Sequence, residues 1–151
     1  MKKWIWLAAL ALLLLPRRGT EVGELLPVET LLIEKEAGQY VVSADTGGSA
    51  RGHSLKAAVE AMRASAPGEM FLDTADYVLL TRDTMDCVPL LADLVRPAAR
   101  VYMVEEGPDL EKIGPFLRTH GPDAPLFRLE KGACPAPKLS MEGENWHFEG
   151  Q

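Results

Sequence analysis

Residues 47–54 are the first place where residue types and spacing could do chemistry. Their sequence, Gly-Gly-Ser-Ala-Arg-Gly-His-Ser, matches the spacing of a phosphate-binding loop between a predicted strand and a predicted helix. His53, however, stands where such a loop needs a lysine. The phosphates of ATP or GTP require a permanent positive charge there, and a histidine is mostly neutral at pH 7. We therefore interpret the glycines as a flexible turn before a capped helix, which disfavours nucleotide binding.

Nucleophilic catalysis would require a serine or cysteine beside a base that a third group orients. The three histidines, His53, His120 and His147, lie far apart in the sequence, and nothing in their spacing brings one of them to Cys87. The sequence also has no Gly-x-Ser-x-Gly nucleophile elbow. We predict no catalytic residue.

Metal binding has one candidate, an acid-rich stretch containing Asp73, Asp76, Asp83 and Asp86. It lacks the alternating order of acidic residues that a calcium loop needs. Turn and capping residues on either side of a strand at 77–80 explain the stretch more simply. The histidines and cysteines show no paired spacing of the kind that binds zinc. We predict no metal and no cofactor.

Cys87 and Cys134 are a possible disulfide. Two cysteines are too few for a disulfide scaffold or a structural zinc site. If the chain is exported, the oxidising environment outside the cytoplasm would allow these two cysteines to form a disulfide. Two unpaired thiols are the alternative, because Cys87 is predicted at the start of a helix and Cys134 in a loose tail.

The composition describes an acidic globular protein. The chain has 151 residues, of which 47% are hydrophobic and 25% charged, proportions that suit one folded domain. The formal net charge is −6, yet residues 1–18 hold four basic side chains and no acidic one. The rest therefore carries 12 basic and 22 acidic side chains, a net charge of −10. Such a body repels phosphate backbones, so we expect no nucleic acid partner.

The first 18 residues resemble an export signal. A short basic start, 1–3, precedes an unbroken apolar run over residues 4–15. As a helix this run would span about 18 Å, well short of the roughly 30 Å of a bilayer core. The pattern is typical of a signal peptide, cleaved or retained as a signal anchor. No cysteine lies near the end of this run, so no lipid can be attached there. We predict an extracytoplasmic protein, membrane-associated or secreted.

The remaining sequence predicts an α/β (α+β) fold in one domain over residues 19–131, followed by a tail or weak hairpin over 132–151. The predicted order is β-β-α-β-α-β-α-β, a mixed sheet with about three helices. Ser54 is a candidate N-cap of the first helix, whose predicted apolar side is Leu55, Ala58, Val59 and Met62. Residues 107–109 should start the third helix, and Gly114-Pro115 should kink or split it. The predicted strands lie at 28–34 and 40–44, which should form a hairpin, and at 77–80, 101–104 and 126–129. Weaker candidates lie at 139–141 and 146–148.

Several of these segments resemble the N-terminal domain of the Ger(x)C family of spore germination proteins, the C subunits of germinant receptors. The similar segments lie at 21–25, 28–35, 39–42, 52–58, 71–72, 77–81 and 101–107. The resemblance implies a protein without catalytic residues that sits beside a multi-span membrane subunit. Two features depart from the family. This leader lacks the cysteine that carries the lipid in the family, and the family continues into two further domains, whereas this sequence stops at Gln151.

Together these observations predict a non-enzymatic, exported, envelope-associated binding or scaffold protein, linked to spore germination through contact with a membrane partner. The alternative is a secreted hydrolase or small-ligand-binding protein whose site is assembled only in three dimensions. A deep pocket with converging polar groups would favour the alternative, and a smooth surface with one apolar patch would favour the scaffold.

Overall fold

The computed structural model describes residues 25–143 and 145–150, and the predicted leader therefore lies outside the described residues. Within them the strands are Leu25–Pro27 (β1), Thr30–Glu36 (β2), Gln39–Ala44 (β3), Ser49–Gly52 (β4), Glu69–Phe71 (β5), Tyr77–Thr81 (β6), Arg100–Val104 (β7), Lys138–Glu142 (β8) and Asn145–Phe148 (β9). The α-helices are Leu55–Ser65 (α1), Val88–Leu91 (α2), Leu110–His120 (α3) and Leu126–Glu130 (α4). In this part of the chain, no helix has both the length and the apolar character that crossing a membrane requires.

The main sheet has seven strands in the order β4-β3-β2-β6-β7-β8-β9. Its four central strands, β2, β6, β7 and β8, run parallel, and an antiparallel hairpin closes each end. β1 and β5 form a separate two-stranded parallel sheet. The predicted fold class, a single α/β domain with a mixed sheet, is confirmed.

The β2–β3 hairpin follows from its turn residues. Ala37 and Gly38 both have positive φ, 48° and 80°, as the two-residue turn that matches strand twist requires. The predicted hairpin is confirmed, and the apolar residues of β2 divide between the two faces of the sheet. Leu31 and Ile33 face one side, which we call the first face, and Leu32 faces the second.

Helix α1 packs on the first face, as its spacing predicts. Ser54 caps it by accepting a hydrogen bond from the backbone N–H of Ala57 at 3.1 Å. The buried side of the helix is the predicted one, Leu55, Ala58, Val59 and Met62. These side chains join the core cluster that covers the first face of the sheet.

Helix α3 packs on the second face, where Ile113 and Leu117 are fully buried. Asp109 caps it, as expected, by accepting from the N–H of Glu111. The helix continues through Pro115, so of the two predicted effects of Gly114-Pro115, a kink or a split, the split is wrong. Pro115 has no N–H to donate to the backbone carbonyl of Glu111, four residues earlier in the helix. Both residues are exposed, so water can donate to that carbonyl instead.

Two further predictions need correction. Residues 126–129, predicted as a strand, form helix α4, because Leu126 is buried and Leu129, three residues later on the same side of a helix, packs against the core, while Phe127 and Arg128 are exposed. The predicted glycine-rich loop contains strand β4, which pairs with β3. The weak hairpin predicted near the C-terminus is confirmed, and β8 adds it to β7. The main sheet therefore continues to Phe148, beyond residue 131.

Candidate functional site

The carboxyl ends of the parallel strands are where ligands bind in open α/β sheets. At this edge lies a groove of about 640 Å³ between the loop that joins β7 to α3 and the β8–β9 hairpin. The loop supplies charged residues and the hairpin supplies apolar ones. We call this feature the edge groove; its defining residues are Glu105, Glu106, Asp109, Lys112, Met141 and Trp146.

The hairpin side of the edge groove is apolar. Met141 and Trp146 are directly opposite each other in the register of β8 and β9. Because the N–H of Glu149 donates to the carbonyl of Lys138, positions 141 and 146 form a non-hydrogen-bonded pair, the kind whose side chains lie closest. Trp146 packs against the core of the second face, whereas Met141 is 59% exposed. The hairpin thus presents an anchored aromatic ring beside an open thioether.

The side of the groove formed by the β7–α3 loop is acidic. Gly107 allows this loop to approach β2 closely. A side chain at position 107 would place Cβ 2.6 Å from Oε1 of Glu34 and 2.8 Å from Leu32. Burial, followed by the charge of Glu36, raises the pKa of Glu34, while a hydrogen bond from the backbone of Gly107 opposes this rise. The loop therefore packs onto the half-buried Glu34 at the end of β2.

Two lysines balance part of the acidic charge. Lys112 lies 2.9 Å from Asp109, and their hydrogen bond lowers the pKa of that carboxyl. Lys138 bridges Glu105 at 2.7 Å and Glu149 at 2.6 Å. Glu106 is exposed and has no ion pair among the described residues. The rim of the groove therefore keeps a negative charge.

Ser140 is the hydroxyl nearest to this groove, and it is not activated. Its Oγ donates to Oε1 of Glu149 at 2.6 Å. The hydrogen bond from Lys138, then that from Ser140, lowers the pKa of Glu149. A carboxylate with a lowered pKa is a weak base, so this pair does not supply the nucleophile–base chemistry of a hydrolase.

The glycines at 47–54 serve a turn and a helix contact. Gly47 has a φ of 85° in the turn between β3 and β4. A Cβ on Gly52 would lie 2.4 Å from the backbone nitrogen of Ala58, so only glycine lets β4 pass this close to α1. Nδ1 of His53 lies 3.5 Å from Nε2 of Gln39. The segment is therefore a turn and a short strand before the helix that Ser54 caps, and not the flexible turn alone that the sequence predicts.

The remaining histidines and the cysteines lie in separate places. His120 stacks on Phe116 on α3, and His147 is exposed on β9. Cys87 is buried, and its Sγ donates to the carbonyl of Thr84 at 2.8 Å. Burial raises the pKa of Cys87 to about 11, which keeps it a protonated, unreactive thiol at neutral pH. Cys87 and the half-buried Cys134 are both free thiols in this structure.

The acid-rich stretch is divided among different partners. Asp76 pairs with Arg96, and Asp86 lies 3.1 Å from Lys35. Nζ of Lys35 also donates to the backbone carbonyl of Asp83 at 2.9 Å. Over the described residues, no three histidine, cysteine or acidic side chains are grouped as metal ligands.

The edge groove was not predicted from the sequence. The signal that could have found it is the alternation Leu139-x-Met141 and Trp146-x-Phe148, in which one residue of each pair is buried and the other lines the groove. No protein-family model, curated protein or solved structure matches the chain.

Proposed function

We propose that this chain is a non-catalytic, exported binding protein of the cell envelope that holds a membrane-bound partner through the edge groove. The observation that carries the proposal is the exposed Met141 beside the anchored Trp146, under an acidic rim. Aromatic rings and methionine are enriched at protein interfaces, where an anchored ring loses little conformational entropy on binding.

The charge of the groove selects the partner segment. Glu106 has no ion pair in the described part of the chain, and the body of the protein is strongly acidic. A basic segment is attracted to this rim, and an acidic one is repelled. The occupant we propose is therefore a basic, extended segment of the partner that places an apolar side chain against Met141.

Strand β9 can also pair with an extended segment. It is the last strand of the sheet, and residues 145 and 147 of the strand, together with residue 149 just after it, use their backbone groups toward β8. The N–H and C=O of Trp146 and Phe148 therefore point to the free edge. A partner strand could bond to them, as in other complexes that extend a sheet.

The leader and the family resemblance support a partner in the membrane. A basic start with a short apolar run is typical of an exported chain. The resemblance to Ger(x)C proteins supports a role in spore germination beside a multi-span subunit. The protonated Cys87 and the unactivated Ser140 agree with binding without turnover.

The proposal is tested with envelope membrane vesicles from cells that make the protein. The full chain should bind them, and Glu106→Lys should weaken binding about tenfold, which corresponds to roughly 1.4 kcal/mol. Asp93→Lys is the matched control, because it makes the same charge reversal at an exposed site away from the groove. Vesicles stripped of protein by protease should bind less, and the binding that remains should not respond to Glu106→Lys. Equal losses in both variants, or a loss with Glu106→Lys that is the same on intact and stripped vesicles, would refute the proposal.

A further inference from the structure

The opposite edge of the sheet, where β6 and β7 begin, carries three arginines in an otherwise acidic protein. Arg96 follows α2, Arg100 is the first residue of β7, and Arg128 lies on α4. They surround a cavity of about 470 Å³, which we call the arginine cleft. The three side chains come from separate elements, so the fold, and not a run in the sequence, brings them together.

Backbone hydrogen bonds fix the walls of the arginine cleft. The N–H of Arg100 donates to the carbonyl of Asp76 at 2.8 Å. The N–H of Leu126 donates to Ala99 at 2.8 Å, which ties the start of α4 to the start of β7. These bonds join three segments of the chain at one edge of the sheet. The cleft is therefore held by the fold before any ligand arrives.

The charges in the cleft do not balance. Arg96 pairs with Asp76, and Arg128 lies 3.2 Å from Asp123. Arg100 has no carboxylate partner within the described ranges; its guanidinium lies 6.0 Å from the centroid of the Tyr77 ring. The cleft thus holds three positive and two negative side chains. The charge of Arg100, beside Tyr77, is the one that no carboxylate neutralises among the described residues.

The arginines also have hydrogen-bond donors to spare. Each guanidinium carries about five N–H donors, and one carboxylate takes two of them in a bidentate pair. Arg96 and Arg128 therefore keep donors beyond those their aspartates accept. A single carboxylate ligand would be satisfied by one guanidinium, whereas a phosphate offers several oxygens to several guanidiniums at once. Three arginines around one cavity therefore match a phosphate better than a carboxylate.

We propose that the arginine cleft binds a phosphate group, with Arg100 as its principal charge partner and Arg96 and Arg128 as additional donors. The group comes either from a free phosphate or from the headgroup of an anionic phospholipid, since both present the same oxygens. Phe127 is 41% exposed on the rim of the cleft, with the guanidinium of Arg128 at 5.8 Å from its ring centroid. This ring can contact the part of the ligand to which the phosphate group is attached.

Two probes test this proposal on the full chain: inorganic phosphate, followed by calorimetry, and vesicles of phosphatidylcholine with or without phosphatidylglycerol, followed by sedimentation. Saturable binding of at least one probe is expected, weakened at least tenfold by Arg100→Gln. Arg128→Gln, at an exposed helix position, should weaken it less. Arg51→Gln is the matched control, because Arg51 is an exposed arginine on the distant strand β4.

The pattern of binding identifies the source of the phosphate. Binding of inorganic phosphate supports a soluble ligand, and binding only to vesicles with phosphatidylglycerol supports a lipid headgroup. Thermal unfolding of each variant checks that it folds. If Arg100→Gln does not fold, the proposal is tested by whether Arg128→Gln weakens binding of the probes and Arg51→Gln does not. Absence of saturable binding by the native chain to either probe, or an equal loss in Arg51→Gln, would overturn the proposal.

Discussion

At the scale of single residues, burial decides which chemically capable groups stay inert. Cys87 has no exposed surface, and the pKa of its thiol is raised to about 11 by burial, with a smaller contribution from Asp86. Cys134 is only half-buried. The two thiols should therefore react very differently with reagents that need a thiolate.

We predict that iodoacetamide at neutral pH, without a reducing agent, adds one label to the folded protein, at Cys134. In denaturant, still without reduction, both Cys87 and Cys134 should be labelled. Intact-mass analysis followed by peptide mapping measures this. A chain that takes no label in denaturant until it is reduced would instead contain the disulfide.

Glu34 gives a pH-dependent prediction. Its pKa is raised in the folded state, mainly by burial and then by Glu36. The folded protein thus holds this proton more tightly than the unfolded chain does, and stability falls as pH rises from the unfolded pKa to the folded one. Glu34→Gln keeps an oxygen that can accept from Gly107 and removes the buried charge.

We expect Glu34→Gln to raise the free energy of unfolding at pH 7 and to leave it nearly unchanged at pH 3, where the native carboxyl is already protonated. Denaturant unfolding at both pH values measures the difference. Glu60→Gln, an exposed position on α1, is the control. A variant less stable than the native chain at pH 7 would contradict the account of Glu34.

At the scale of elements, the C-terminal hairpin tests whether the sheet extends beyond residue 131. Leu139 is 1% exposed and pairs in register with Val104 of β7, while Met141 on the same face of β8 is exposed. Leu139→Ala should cost about 2–5 kcal/mol of stability, as for other buried leucines, whereas Met141→Ala should change it little. Chemical denaturation measures both. Equal, small effects would mean that the hairpin is a loose tail.

The elements that were predicted correctly are those whose local signals and core contacts agree. Helix α1 has a capping serine and one apolar side, and β6 is an unbroken apolar run, so sequence alone identifies both. Residues 126–129 have an apolar sequence interrupted by Arg128, which is ambiguous between strand and helix. Packing decided the outcome there, because Leu126 and Leu129, which share one side of a helix but not of a strand, both contact the core.

The candidate sites were beyond sequence reasoning for a related reason. The edge groove needs β8 to join β7, and the arginine cleft needs α4 to lie beside the start of β7. Both are contacts between segments distant in the chain. No local pattern of residue types encodes them, whereas the phosphate-loop spacing at 47–54 was visible in the sequence and belongs to a turn followed by strand β4.

At the scale of the whole molecule, the two edges of the sheet differ in charge. The carboxyl edge carries the acidic groove with Met141 and Trp146, and the amino edge carries the arginine cleft. The first suits a basic segment of a protein, and the second suits a phosphate group. A binding protein with these two edges could contact two different ligands at once, because the sites do not overlap.

The most direct test of the proposed function is photo-crosslinking in intact cells. A benzophenone amino acid in place of Met141 should give an adduct with a membrane protein, identified by mass spectrometry. The same group in place of Leu90, which is 52% exposed on α2, should not give that adduct. Recovery of only the uncrosslinked monomer from the Met141 position, together with a hydrolytic activity that His53→Ala abolishes, would contradict the account and favour an enzyme.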